Sequence, residues 1–265
     1  MPKRVLITGA SRGVGRCLAA ELLARGHEVV ATARNAAGLS GLDGAEVLEL
    51  DVTSVESVRR ASESCGPVDV LVNNAGVGLS TPVERISYET LQRIWAVNVA
   101  GPVLLIQALV PGMRERGRGR IVTVSSVAGR RAMPFTGHYS ATKHAVEALS
   151  ESLRWELSDF GIDVIIVEPG TLATDFAKSR LDPGMDLGPY ADLRKRWSAA
   201  VTPEEKAATT ADDTARLIAD LCEAEQVPLR VAGSEQAAFM IAERTERSDA
   251  EFEQWVSRRL YPERN

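Results

Sequence analysis

Short β-branched apolar runs recur along the chain, at Arg4 to Thr8, Glu28 to Thr32, Glu46 to Leu50, Val68 to Asn73, Arg120 to Val124 and Asp163 to Val167, and longer stretches of helical period separate them. Strands that alternate with helices are joined by crossovers, so they pair in parallel and the helices cover both faces of the sheet. Each run is almost continuously hydrophobic, as strands buried on both faces must be. The expected fold class is therefore α/β, a Rossmann-like doubly wound parallel sheet of about seven strands.

Helices are expected at about residues 13–25, 54–64, 87–116 and 140–159, the third bent near Asn98 to Pro102, and again at about 203–224. Gly26 and Gly161 follow two of these stretches, where a left-handed C-terminal cap wants glycine. A strand at Val227 to Val231 and two short helices close the chain. Residues 171–201 combine Pro183, Gly184, Gly188 and Pro189 with Phe176, Leu181, Met185, Tyr190 and Trp197, a mixture expected of a substrate lid. All 265 residues are read as a single domain.

Charge and cysteine usage exclude several function classes. The net charge is -5 with acids and bases interspersed, which leaves no basic face for nucleic acid. No run approaches about eighteen consecutive apolar residues, so no membrane span or membrane partner is expected. The opening apolar stretch, Val5-Leu6-Ile7, is too short for a signal-peptide core. Cys17, Cys65 and Cys222 show no C-x-x-C spacing, which signals no zinc site and favours a reducing compartment. The expected location is cytoplasmic.

Thr8-Gly9-Ala10-Ser11-Arg12-Gly13-Val14-Gly15 follows the first strand and opens a helix. Glycines let a backbone turn tightly and approach a pyrophosphate, and a helix N-terminus offers unpaired N–H groups with a partial positive charge. At the end of the second strand, Ala31-Thr32-Ala33-Arg34-Asn35 contains no acid that would accept the ribose hydroxyls of NAD. Arg34 and Arg12 would meet a 2′-phosphate instead, so NADP(H) is the expected cofactor and NAD(H) the less favoured one. The competing reading of each arginine is a solvated surface side chain.

The spacing G-x-x-x-G-x-G resembles the loop of the classical short-chain dehydrogenase/reductase family. The resemblance accumulates at Asp51-Val52, Asn73-Asn74-Ala75-Gly76, Asn98-Val99-Ala100-Gly101, Ser125-Ser126, Tyr139-Ser140-Ala141-Thr142-Lys143 and Pro169-Gly170. It implies that Gly9, Ser11, Gly13, Val14 and Gly15 form the loop that holds the pyrophosphate, with Arg12 inside it, and that Asp51 and Val52 meet the adenine. Asp51 capping the following helix is the rival reading. Asn74, Ala75 and Gly76 would flank the ribose, with Pro169 and Gly170 nearby. Thr174 matches the threonine that bonds the nicotinamide carboxamide.

Tyr139 and Lys143 lie four apart and so share a helix face. An ammonium near a phenol is expected to lower its pKa toward neutrality and make proton transfer feasible. Ser126, thirteen residues before Tyr139, matches the family's substrate-binding serine, with Ser125 as its local rival. Asn98 matches the asparagine of the family's proton relay. His138, beside Tyr139, is read as a rim residue, since no acid is spaced to orient its ring.

The resemblance implies hydride transfer between NADP(H) and a carbonyl or secondary alcohol of a partly apolar small molecule, with Tyr139 as general acid and base and Lys143, Ser126 and Asn98 in support. Candidate walls are Val77, Ala128, Met133 and Phe135 with the lid residues Phe176, Leu181, Met185 and Tyr190. A homodimer or homotetramer built on helices 102–116 and 140–159 is expected. The alternative is an NADP-binding regulator of the same fold without turnover, which would usually carry a damaged tyrosine or lysine. A sugar-nucleotide epimerase or dehydratase, the third class, usually has a larger C-terminal region.

Overall fold

The computed structural model describes residues 1–173, 181 and 186–264. Among them the strands are β1 (Arg4–Ile7), β2 (Glu28–Ala33), β3 (Glu46–Glu49), β4 (Val70–Asn73), β5 (Gly119–Val124), β6 (Ile162–Glu168), β7 (Leu172–Ala173), β8 (Thr209–Thr210) and β9 (Arg230–Ala232). Seven of these form one parallel sheet in the order β3-β2-β1-β4-β5-β6-β9, and β7 pairs with β8 separately. The expected doubly wound sheet is therefore present.

Strand periodicity divides the core between the two faces. Val5 and Ile7 point to one side and pack with α1 (Gly13–Ala24) and α8 (Ala211–Glu223). Leu6 points to the other, among residues of α2 (Val55–Ser64) and α4 (Gly101–Glu115). Strand order reverses between β1 and β4, and the crevice at that switch point is where ligands bind in open α/β sheets.

The long helix expected at 87–116 is three pieces: α3 (Tyr88–Trp95), a π-helical turn at Ala96–Ala100 and α4. Its expected bend is thus a local widening that carries Asn98. Residues Tyr88–Glu115 together are long and apolar enough to cross a membrane by composition. Leu105, Leu109 and Met113 spend that hydrophobicity in the core.

The next helix, α5 (Gly137–Glu156), begins three residues earlier than expected and takes Tyr139 into its first turn. The single helix expected at 203–224 is divided into α7 (Pro203–Lys206) and α8. A Thr202–Glu205 capping box opens α7, and after the break Thr210 accepts the Asp213 N–H to start α8 afresh. Within the expected lid, α6 (Ala191–Ala200) is helical, and α9 (Glu235–Thr245) and α10 (Asp249–Leu260) follow β9.

Candidate active site

Thr8 and Asn74 join the ends of β1 and β4. The Thr8 hydroxyl donates to the Val72 carbonyl at 3.2 Å and accepts the N–H groups of Asn74 and Ala75, each at 2.9 Å. Asn74 Nδ2 donates to the carbonyls of Thr8 (2.8 Å) and Gly9 (3.3 Å). The glycine loop is thereby fixed from below. Gly9 (φ 69°) and Gly13 (φ 54°) occupy the left-handed region, which explains glycine at both.

Packing explains Gly15, since a Cβ there would lie 2.5 Å from Asn74 Nδ2 and 2.6 Å from the Gly9 carbonyl oxygen. Arg12 holds the N-cap position of α1 in extended geometry and makes no side-chain cap. The first N–H groups of α1 are thus left for an anion, the arrangement a dinucleotide phosphate fits.

A cavity of about 530 Å³ runs from this loop across the switch point to Tyr139 and Lys143. Every residue singled out for the cofactor lines it except Gly15, which packs behind the loop, and Thr174, which lies outside the described residues. At the far end, Arg34 follows β2 as an exposed side chain with no acid beside it in sequence. The Asp51 carboxylate accepts the Thr53 N–H (2.9 Å) and hydroxyl (2.7 Å), while Ser54 caps α2. Asp51 is therefore a cavity residue held in a local turn and not the helix cap. Burial works against its charge, but the Thr53 bonds, with Arg93 and Arg34, hold its carboxyl below the usual range.

Arg93, half-buried on α3, also lines the cavity and was not foreseen. No motif marks it; only the tertiary placement of α3 brings it there.

At the other end of the cavity, α5 presents Tyr139 half-buried and Lys143 7 % exposed. Lys143 Nζ donates to the Val124 carbonyl at 2.9 Å and stands 5.8 Å from the centroid of the Tyr139 ring. The expected lowering of the tyrosine pKa is not found here. Burial pushes Tyr139 up to about 12, offset only in part by its hydrogen bond with Ser126. Lost hydration of a phenolate outweighs an ammonium committed to a carbonyl. Burial also brings Lys143 down to about 8, with the Glu147 carboxylate opposing the fall.

Strand alternation separates the two serines. Ser126 lines the cavity, bonds Tyr139 and accepts the Ala128 N–H at 3.1 Å. Ser125 also borders the cavity, but its hydroxyl is buried with no hydrogen-bond partner among the described residues.

Asn98 lies behind the cavity, 2 % exposed. Its Nδ2 donates to the Val77 carbonyl (3.0 Å) and Thr142 Oγ1 (3.1 Å), and its Oδ1 accepts the Val77 N–H (2.9 Å). Thr142 in turn donates to the Tyr139 carbonyl at 2.8 Å, so Asn98 ties the loop after β4 to the turn that carries Tyr139. His138 Nε2 meets the Val83 carbonyl at 2.9 Å, away from Ser126.

Of the expected substrate walls, Val77 lines the cavity, together with the unforeseen Leu79, Ser80 and Leu172. Phe176 and Met185 lie outside the described residues. Phe135 is 6 % exposed at a φ of 68°, its carbonyl accepting the Thr81 N–H at 2.9 Å and its ring 5.0 Å from the Arg194 guanidinium of α6. It packs against α6 and does not line the cavity.

The chain is 41% identical to human retinol dehydrogenase 8 over 66% of its own length and 60% of that protein. A short-chain dehydrogenase from Streptomyces avermitilis superposes with a TM-score of 0.85 at 35% identity, covering 97% of this chain and 98% of the other. One from Burkholderia cenocepacia, solved with NADP, gives 0.79 at 26% identity over 96% and 97%. The short chain dehydrogenase family model matches residues 3–183. With that match spread over the glycine loop, the switch-point crevice and the Ser126–Tyr139–Lys143 cluster, the chain belongs to the short-chain dehydrogenase family.

Proposed function

We propose that the protein transfers hydride between NADP(H) and a carbonyl or secondary alcohol of a partly apolar small molecule, with Tyr139 as general acid and base. The observation that carries this reading is the Ser126–Tyr139 hydrogen bond beside buried Lys143, in the same cavity as the open N-terminus of α1. When bound, the nicotinamide nucleotide supplies the carbon that gives or takes hydride. Arg12 and Arg34 would hold a 2′-phosphate, and the NADP complex of the Burkholderia relative supports the same choice.

Tyr139 keeps its proton at neutral pH, so the neutral phenol is ready to donate to a developing alkoxide. The Ser126 hydroxyl shares the negative charge on that oxygen. Lys143, mostly protonated at neutral pH, supplies a fixed cation one turn away, and Asn98 positions the loop behind both. Val77, Leu79 and Leu172 favour an apolar body next to the reacting group, in keeping with a relative named for retinol.

Leu149 and Trp155 of α5, 45% and 73% exposed, support assembly into a homodimer or homotetramer, and a cytoplasmic location suits the free thiols. The decisive experiment is Tyr139→Phe assayed by NADPH absorbance against a ketone panel. Turnover should drop by about three orders of magnitude or more while NADPH still binds. Turnover within tenfold of the unmodified protein would rule the assignment out.

A further inference from the structure

Glu147 lies one turn beyond Lys143 on α5, so Tyr139, Lys143 and Glu147 follow one another down a single helix face. Both the lysine and the glutamate are nearly inaccessible, 7% and 4% exposed. A buried carboxylate is tolerated only where cations or donors compensate it. Glu147 Oε2 accepts from Arg230 Nε on β9 at 2.9 Å. Glu147 Oε1 has no hydrogen-bond partner among the described residues. It lies beside Gly129, where a Cβ would be 3.1 Å from it and 2.7 Å from the Ser125 hydroxyl.

The groups around this carboxylate do not balance one another. From β6 comes Glu168, 3% exposed and paired with Arg130 at 3.1 Å. Glu151 of α5 shares Arg230, which also stands 4.0 Å from Glu168. Three carboxylates thus face two guanidiniums. Burial, with Glu147 next, raises the pKa of Glu168, as crowded anions require. The further cation within reach of this charge is Lys143, one helical turn away on the cavity side and coupled to Glu147 through space.

We propose that Glu147 is a positioning residue of the site, a buried counter-charge that keeps Lys143 in its ammonium form and thereby sets the upper pH limit of the reaction. The inference rests on reading Lys143 as the cation that serves Tyr139. The direction of Lys143's own titration agrees, since the Glu147 charge opposes the drop caused by burial. Without that charge Lys143 would lose its proton at a lower pH.

The test uses the cofactor-free protein labelled with [13C]lysine, in which only five lysines contribute Cε signals. Lys143→Arg identifies the Lys143 signal, which is then titrated in the unmodified protein and in Glu147→Gln. The expected result is a fall in the Lys143 midpoint of about one pH unit, a tenfold loss of ammonium at a given pH. In Glu147→Gln the Arg230 guanidinium keeps Glu151 as its partner, while Glu147→Gln/Arg230→Gln removes a cation together with the carboxylate and should lower the midpoint less than Glu147→Gln does. The alkaline limb of kcat should move with it.

An unchanged Lys143 midpoint in folded Glu147→Gln overturns the proposal, and so does a midpoint that falls as far in the double variant as in the single one, or a shifted midpoint with an unmoved rate limb. A purely structural Glu147 would lower stability and leave both titrations in place. If Lys143 shifts in the variants yet Tyr139→Phe retains turnover, the charge coupling stands and the functional reading fails.

Discussion

Replacing Gly15 with alanine asks whether the cofactor loop is held by the packing described above. The new methyl would meet Asn74 Nδ2 at 2.5 Å and the Gly9 carbonyl oxygen at 2.6 Å. The amide end can move only by giving up its bonds to Thr8 and Gly9, and the carbonyl belongs to backbone already at positive φ. Two neutral hydrogen bonds contribute about 1 kcal/mol each, and overpacking costs about 1–3 kcal/mol. Alanine returns about 1 kcal/mol as a better helix former, which leaves a net loss of about 3 kcal/mol. For a chain of this size that corresponds to a Tm lower by about 6–12 °C.

Because the same shift moves the N-terminus of α1 away from the phosphate position, the Kd for NADPH should rise at least about tenfold. Gly26→Ala is the matched control. Gly26 has a φ of 80° but nothing within 4 Å of a new Cβ, so it should cost about 1–2 kcal/mol and leave NADPH affinity alone. Thermal unfolding and NADPH fluorescence titration read both quantities. If Gly15→Ala binds NADPH as the unmodified protein does, or if the two variants weaken it equally, the close approach at Gly15 is not what shapes the loop.

Arg34→Asp should move the NADPH/NADH ratio of kcat/KM toward NADH by about tenfold or more, and an unchanged ratio would remove Arg34 as the selector. Asn98→Ala deletes three hydrogen bonds at a site 2 % exposed. It should cost about 2–3 kcal/mol in stability and lower kcat more than it raises KM; unchanged kcat in the folded variant would deny Asn98 its positioning role. Lys143, titrating at about 8 against an ordinary 10.5, binds fewer protons folded than unfolded between those values. Carbonyl reduction should therefore fall as pH rises through 8, while the Lys143 contribution to stability grows with pH up to about 10, where the raised Tyr139 begins to oppose it. Rate and unfolding profiles taken from pH 7 to 10 check both signs, and a flat rate profile would separate Lys143 from the reaction.

Local chemistry made much of this protein legible in one dimension. The apolar runs identify β1, β2, β4, β5 and β6 as strands buried on both faces, whereas β3, which carries Glu46 and Glu49, is only partly covered. Glycines 9 and 13 mark positions where the backbone must turn left-handed, and the four-residue step from Tyr139 to Lys143 is a helix face wherever a helix forms. Thr8 was legible only as part of its loop, and its three-way bond to β4 needed the strand order.

What the sequence by itself determined is therefore the doubly wound sheet, the anion-binding loop after β1 and the pairing of Tyr139 with Lys143, all of which follow from periodicity and backbone freedom within a few residues. Tertiary structure alone decided the rest. Asn98 sits on a π-helical turn between α3 and α4, Arg93 reaches the cavity from α3, and Ser126 rather than Ser125 bonds Tyr139 where the chain leaves β5. Tyr139 and Lys143 take their proton affinities from burial, a quantity that exists only once distant segments close over them, and that is why the lysine was readable and the pKa of its tyrosine was not.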